Sequence, residues 1–289
     1  MDTPPLPETP DLRIVSLEAI REHEYNDDQR TAPLVRRLQA EGLLKNPALV
    51  APLDAAPSTV PPEQRRYVVL DGANRCTALE QLGYPHVLVQ VVPYAPPQVT
   101  LSTWHHAVTG LDVDSLARSL YAIDGLDIHL TDALSARADL ARREALAYVM
   151  LADGRVLTAR AKIHSLHVQN RLLNALVDTY RLRGGLYRTV AADIRDLRGL
   201  YTDLTALVVF PNYEPAEVLA LARDGELLPP GLTRHLIQGR VLRTNYPLSE
   251  LRSADDLEVK NARLQAWLQA KLAEREVRFY GEATFLFDE

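Results

Sequence analysis

The sequence predicts an α/β protein in two successive lobes. Short apolar or β-branched runs alternate with helix-like stretches between residues 11 and 92, and the alternation resumes after residue 146. The length, 289 residues, is ample for two cores. The expected division is a disordered Pro-rich start over residues 1–11, a first lobe over 12–110 and a C-terminal α/β lobe over 111–289.

Leu12-Arg13-Ile14-Val15 predicts a short strand, and Leu17 with Ile20 a brief turn that delivers Glu22-His23-Glu24 to a loop. Asn26, Asp27 and Asp28 are N-cap candidates for a helix whose apolar positions Leu34, Val35 and Leu38 end at Gly42. Glu24 therefore sits at a helix entrance. Ala48 to Leu53 reads as a strand cut short by Pro52, and the proline-bearing stretch from Asp54 to Gln64 as a surface loop. Tyr67 to Leu70 is a buried strand broken by Asp71-Gly72, after which Ala78, Leu79 and Leu82 recur at helical spacing as far as Gly83. Val87 to Val92 is β-branched and predicts another buried strand.

Pro93, Pro96 and Pro97 bend the chain before Thr100 to His106, a stretch dense in polar and aromatic residues. Leu130 to Leu146 reads as helical, and Ala147–Leu151 with Arg155–Thr158 as two strands about the turn Asp153-Gly154. Leu172, Leu173, Leu176, Val177 and Tyr180 form the stripe of a helix that stops at Gly184-Gly185. A strand over Ala206–Phe210, a short helix over Pro215–Ala222, a long helix facing inward with Leu264, Trp267, Leu268 and Leu272, and a last strand from Val277 complete the pattern.

Composition excludes several classes. Hydrophobic residues at 47% against 24% charged indicate a globular chain, and no apolar run reaches the length of a membrane span. The start from Met1 to Pro10 has neither the basic nor the apolar segment of a secretory signal, so a cytoplasmic location is expected. The single cysteine, Cys76, excludes an internal disulfide framework or a Cys-rich metal site. A net charge of −6 disfavours nucleic acid held by bulk electrostatics, although residues 151–200 carry nine Lys/Arg against four Asp.

The strand, turn and helix around Asp71-Gly72-Ala73-Asn74-Arg75 offer the plainest chemistry. The turn gathers unpaired N–H groups at the positive end of a helix, and Arg75 adds a full charge, a combination that binds phosphate. Asp71 can cap the helix or hold a divalent cation beside that phosphate, and Gly72 lets the backbone approach a ligand. Phosphoryl transfer further needs a base and a cationic group for the acceptor. Glu24 supplies a carboxylate in a loop, with Glu22 its competitor. Thr103-Trp104-His105 suits an acceptor pocket walled by the indole, and Arg234 can pair two carboxylate oxygens at once. His105 and His106 are no zinc pair, because neighbours in a strand point to opposite faces, and His164 with His167 lacks a third ligand nearby in the sequence.

Read together, His23-Glu24, Asp71 to Arg75, and Pro229-Pro230-Gly231-Leu232-Thr233-Arg234-His235 followed by Arg240 and Pro247-Leu248 resemble the free L-serine kinases of ParB/sulfiredoxin-like fold. That resemblance implies an acidic general base in the first loop, Glu24, and a D-G-x-H-R turn that holds nucleotide phosphates through Asp71, Gly72, Ala73, Asn74 and Arg75. It also implies ATP or ADP as donor, Mg²⁺ held by Asp71, and a late T-R-H segment in which Arg234 and His235 serve the acceptor. The family's histidine in the turn is Asn74 here, which hydrogen-bonds but does not titrate. In sulfiredoxins the reactive cysteine would fall on Ala73, so a sulfinic-reductase reading fails. The arginine-rich frame of partitioning ParB proteins keeps only Arg75 between Gly72 and Ala78.

The expectation is therefore a Mg²⁺-dependent kinase of a small hydroxy amino acid, free L-serine first, with Glu24 and Asp71 as catalytic carboxylates and neither membrane nor nucleic acid as partner. Two alternatives stay open at this point: a nucleotide-responsive DNA-binding regulator, and a nucleotide-binding protein without turnover. Salt-dependent retention on DNA would favour the former, and tight nucleotide binding without product the latter.

Overall fold

The structure, a computed structural model, describes residues 9–26, 28–54, 60–61 and 64–279, with the side chains of residues 28–30 excepted. Most of the Pro-rich start thus lies outside the described residues. Two compact units emerge, and they are interleaved rather than successive. Residues 1–21, 27–99 and 237–289 form the first, and residues 22–26 and 100–236 the second.

In the first unit the chain runs through β1 (Leu12–Ser16), β2 (Ile20–Arg21), α1 (Asp28–Glu41), β3 (Leu43–Leu44), β4 (Ala48–Pro52), β5 (Tyr67–Asp71), α2 (Ala73–Gln81) and β6 (His86–Val91). A mixed five-stranded sheet has the order β1-β6-β4-β5-β2. β1 is antiparallel to β6 and β4 to β5, whereas β4 runs parallel to β6 and β2 to β5. Ala48 to Ala51 and Val87 to Val89 are buried on both faces, as their continuous apolar character requires.

The second unit contains β7 (Val99–Thr103), β8 (His105–Thr109), α3 (Val113–Tyr121), β9 (Leu126–Thr131), α4 (Ala133–Ala141), β10 (Ala147–Leu151), β11 (Val156–Ala161), α5 (Leu166–Arg181), β12 (Gly185–Thr189), β13 (Leu204–Val209), α6 (Pro215–Arg223) and β14 (Thr233–Ile237). Six of its strands form an antiparallel sheet in the order β12-β8-β13-β10-β11-β9, and β14 pairs with β7. Tyr148, Met150, Leu207 and Val209 pack on one side with Ala136 of α4 and with Ile194 and Leu197. α5 packs against β11 and β12 and buries Leu173, Leu176, Val177 and Tyr180.

One element departs from the sequence expectation. The stretch from Leu130 to Leu146 is not one helix: its start belongs to β9, Asp132 caps α4 by accepting the N–H groups of Leu134 and Ser135, and Arg143 at φ 60° follows the helix. Leu130 and Leu134 are 65% and 78% exposed, so neither helps to bury that stretch.

After β14 the chain returns to the first unit through β15 (Tyr246–Pro247), α7 (Leu248–Arg252) and α8 (Leu257–Ala273). β15 pairs with β3. Leu248, Leu251, Leu264 and Leu268 pack into one core with Ile14, Leu79 and Val87. That apolar face is why the C-terminal stretch leaves the second unit. Asn261 of α8 also satisfies edge strand β1, accepting the Ile14 N–H at 2.9 Å and donating to the Ile14 carbonyl at 2.8 Å. Buried Lys260 donates to the Leu251 carbonyl at 2.8 Å and lies 2.9 Å from His86 Nδ1. Val277–Phe279 form no strand, and the remainder of the expected last strand lies outside the described residues.

If α8 is integral to this core, Leu264→Ala, at a site with no exposed surface, should destabilise the protein by about 2–5 kcal/mol in urea denaturation. A loss under about 0.5 kcal/mol would mean that α8 packs only peripherally.

Candidate active site

The phosphate-type turn is built at the end of β5. The register of β4 on β5 slips between Leu49 and Val50, leaving Leu70 as the extra residue beside Asp71. Such a bulge re-aims the next side chain. Gly72 then adopts φ 98°, and α2 begins at Ala73 with no side-chain cap at its first turn. An added Cβ at Gly72 would meet the Arg75 guanidinium at 2.5 Å, so both backbone and neighbour call for glycine.

Asp71 does not cap the helix. Its Oδ2 accepts from Arg75 at 3.0 Å and from Arg240 at 3.0 Å, and Arg75 also donates to the Pro47 carbonyl at 3.3 Å. Burial works against the charge of Asp71, but the two guanidinium groups outweigh it and hold the carboxyl below the usual aspartate range. Gln90 sets the position of Arg240, donating to the Gly239 carbonyl at 2.9 Å and accepting from the Val241 N–H at 2.8 Å. Asn74 accepts a long contact from Thr31 Oγ1 at 3.5 Å.

Among the described residues no group of three or more His, Cys, Asp or Glu could hold a metal ion. Asp71 Oδ2 is committed to Arg75 and Arg240, which leaves Oδ1 as the atom that could hold a cation, and only one whose other ligands are phosphate oxygens and water.

In the second unit, Glu24 is held by main-chain donors far along the sequence. Its Oε2 accepts from the Gly231 N–H at 2.9 Å and its Oε1 from the Thr233 N–H. The surrounding backbone is pinned by a bridge to Leu228, whose N–H donates to the His23 carbonyl at 2.8 Å and whose carbonyl accepts from Tyr25 at 3.1 Å. Buried His23 places Nε2 2.8 Å from Thr233 Oγ1 and sits edge-on to His235 at 5.3 Å. The competing Glu22 accepts from Asn26 within the same loop.

Thr103 and His105 end adjoining strands on either side of Trp104. Buried Thr103 donates to the Pro211 carbonyl at 3.1 Å, and His105 Nδ1 accepts from the Phe210 N–H at 3.3 Å. The Trp104 N–H donates to the Leu232 carbonyl at 2.8 Å, and the Arg234 guanidinium lies 4.7 Å from the indole centroid. His106, on the opposite strand face, is fully buried between Tyr180, Phe210 and the Gly231 carbonyl. Burial lowers both histidines to about 4.

The structure thus gathers Asp71 with Arg75, Glu24 with the segment that carries Arg234 and His235, and Trp104 with Arg234. Sequence reading left Arg240, Gln90 and His106 without roles. Arg240 stood inside the late motif and could have been matched to Asp71 by charge, but nothing local marks Gln90 or His106. The basic stretch is neutralised in part: Arg155, Arg160, Arg181 and Arg195 pair with Asp153, Asp139, Asp178 and Asp193. His167 pairs with Glu226 and Asp224, carboxylates distant in sequence.

The mixed sheet that ends in an Asp-Gly turn at a helix N-terminus and the second α/β unit make up a fold that the solved relatives share. Within it, the chain is a homologue of the ATP- and ADP-dependent L-serine kinases. It is 24% identical over 246 residues to the ATP-dependent L-serine kinase of Staphylothermus marinus, a match covering 83% of this chain and 90% of that one. It is 24% identical over 283 residues to the ATP-dependent L-serine kinase SbnI of Staphylococcus aureus, covering 96% and 97%. A free serine kinase in complex with AMP superposes with a TM-score of 0.67 at 20% identity, covering 84% of this chain and 95% of that one. No protein-family model matches.

Two outcomes follow from the geometry. Gly72→Ala should cost about 1–2 kcal/mol of stability, the penalty of a left-handed L-residue, and weaken nucleotide binding by displacing Arg75; unchanged denaturation and titration curves would contradict the turn. The unfolded chain protonates histidine below about 6.5, whereas folded His106 resists protonation until about 4. Its contribution, roughly 3 kcal/mol, is present above about pH 6.5 and lost as pH falls towards 4. His105 is lowered as far and acts in the same window, so urea denaturation from pH 7 to 4 should show both losses and His106→Gln should remove about half of the slope.

Proposed function

We propose that this protein is a phosphotransferase that moves a phosphoryl group from ATP or ADP to the hydroxyl of free L-serine, giving O-phosphoserine. The observation that carries the reading is the similarity to L-serine kinases over 83–96% of this chain and 90–97% of theirs, a span that takes in both units.

The chain's own residues take distinct parts. The N–H groups of Gly72, Ala73 and Asn74 with the Arg75 guanidinium receive nucleotide phosphates, and Arg240 adds a second positive charge across Asp71. Asp71 would hold a Mg²⁺ ion brought by the nucleotide, which neutralises charge on the transferring phosphoryl group. Glu24 removes the proton from the serine hydroxyl, the hydroxyl oxygen bonds to the terminal phosphorus, and the bond to the bridging oxygen breaks as ADP or AMP leaves. Arg234, stacked on Trp104, suits the acceptor carboxylate; Thr103, His105 and His235 complete that pocket. Asn74, in place of the family's histidine, contributes hydrogen bonding only.

Four of the nine cations of the basic stretch are already committed to carboxylates, which weakens the DNA-binding reading, since phosphate contacts need uncommitted cations.

The test is direct. Pure protein with Mg²⁺, ATP or ADP, and a panel of hydroxy amino acids should yield a phosphorylated product detectable by ³¹P NMR, with serine the best acceptor. Glu24→Gln should lower kcat by about 10²- to 10⁴-fold while nucleotide affinity holds. Glu22→Gln should remain active; the reverse outcome would move the base to Glu22, and absence of any product would overturn the kinase reading.

A further inference from the structure

Glu24 belongs to no helix or extended sheet. What aims its carboxylate is the backbone of residues 231–233, two N–H groups one residue apart converging on its oxygens. That segment is in turn fixed at each carbonyl. The Leu232 carbonyl accepts from the Trp104 N–H, and the Gly231 carbonyl accepts from His106 Nε2 at 3.2 Å. A carbonyl only accepts, so Nε2 must carry the proton. In a neutral imidazole, Nδ1 is then bare and accepts from the Tyr180 hydroxyl at 2.8 Å.

We propose that His106, held in the Nε2–H tautomer by Tyr180, is a positioning residue for Glu24, acting through the Gly231 peptide. The inference rests on the reading of Glu24 as general base and deepens it. Gly231 is bracketed on both sides: its N–H meets Glu24 and its C=O meets His106, at φ 71° and with Arg188 close against its Cα. Residues in that left-handed conformation rotate readily unless both peptides are tethered. Stability alone does not account for the arrangement. His106 and Tyr180 have no exposed surface, and Tyr180 shares the buried residues of α5 with Leu176 and Val177, where an apolar pair of similar size would avoid desolvating two polar groups. What the polar pair adds is direction, running from α5 through β8 to the peptide that holds the carboxylate.

The experiment is a double-mutant cycle on serine phosphorylation. His106→Leu keeps bulk and removes the donor; it should lower kcat by about 10- to 100-fold, the scale of a misplacement near 1 Å, with the nucleotide KM unchanged. His106→Gln, whose amide can donate to the same carbonyl, should recover most of the rate. In the Glu24→Gln background, His106→Leu should slow the residual reaction less than about twofold, because there is no base left to aim. Equal slowing in both backgrounds would show a purely structural role and overturn the inference while leaving the base intact. Wild-type turnover by Glu24→Gln alone would instead overturn the base reading, and this inference with it. Should His106→Leu fail to fold, Tyr180→Phe removes a single oxygen and enters the same cycle. ¹⁵N NMR of histidine-labelled protein should show protonated Nε2 in the wild type and a mixture of tautomers in that variant; an Nδ1–H tautomer in the wild type would refute the relay.

Discussion

A carboxylate has to be met by donors to the extent that it leaves water, and half-exposed Asp71 and more deeply set Glu24 are both met by groups more than 160 residues further along the chain. Asp71 is held by Arg240 as well as its neighbour Arg75, and Glu24 by the N–H groups of Gly231 and Thr233. Charged hydrogen bonds of this kind are worth more than neutral ones, and removal of one partner leaves the other carrying a desolvation cost. The stretch from Leu228 to Val241 is thus constrained at nearly every residue. Its turn, its strand β14 and its return to the first unit follow from the need to present those donors.

Buried polar side chains serve as adapters where one element would otherwise leave backbone groups unpaired. Asn261 bonds both main-chain groups of Ile14 on edge strand β1, and Gln90 brackets Arg240 by its two neighbours. Lys260 meets the Leu251 carbonyl at the end of α7. Each converts apolar packing, which is tolerant of small slips, into a fixed register. The charge on Arg240 reaches Asp71 from where Gln90 places it.

The positive charge in residues 151–200 illustrates how a linear count misleads. Nine cations against four carboxylates suggests a basic surface, yet several of these arginines close ion pairs within their own loops and helices, and Asp139 satisfies Arg160 and Arg142 together. Arg183 bonds the hydroxyls of Ser115 and Ser119 instead. Exposed pairs of this type contribute little stability, but each one lowers the field that a polyanion would meet.

Local chemistry was legible in the residues themselves. The strand–turn–helix at Asp71-Gly72, the stripe that became α5 and the hairpin at Asp153-Gly154 rest on neighbours within a few positions, where periodicity and glycine conformation act, and the L-serine kinase resemblance rests on separate short motifs read together. The expectation of one helix over Leu130–Leu146 failed because Leu130 pairs into β9 and Asp132 caps a shorter α4 that ends at Ala141. Tertiary structure alone decided that α7 and α8 complete the first unit, that Arg240 shares Asp71 with Arg75, and that His106 reaches Gly231. Those outcomes depend on which apolar faces, charges and backbone groups remain unmatched once the sheets have formed, a quantity that no local pattern encodes.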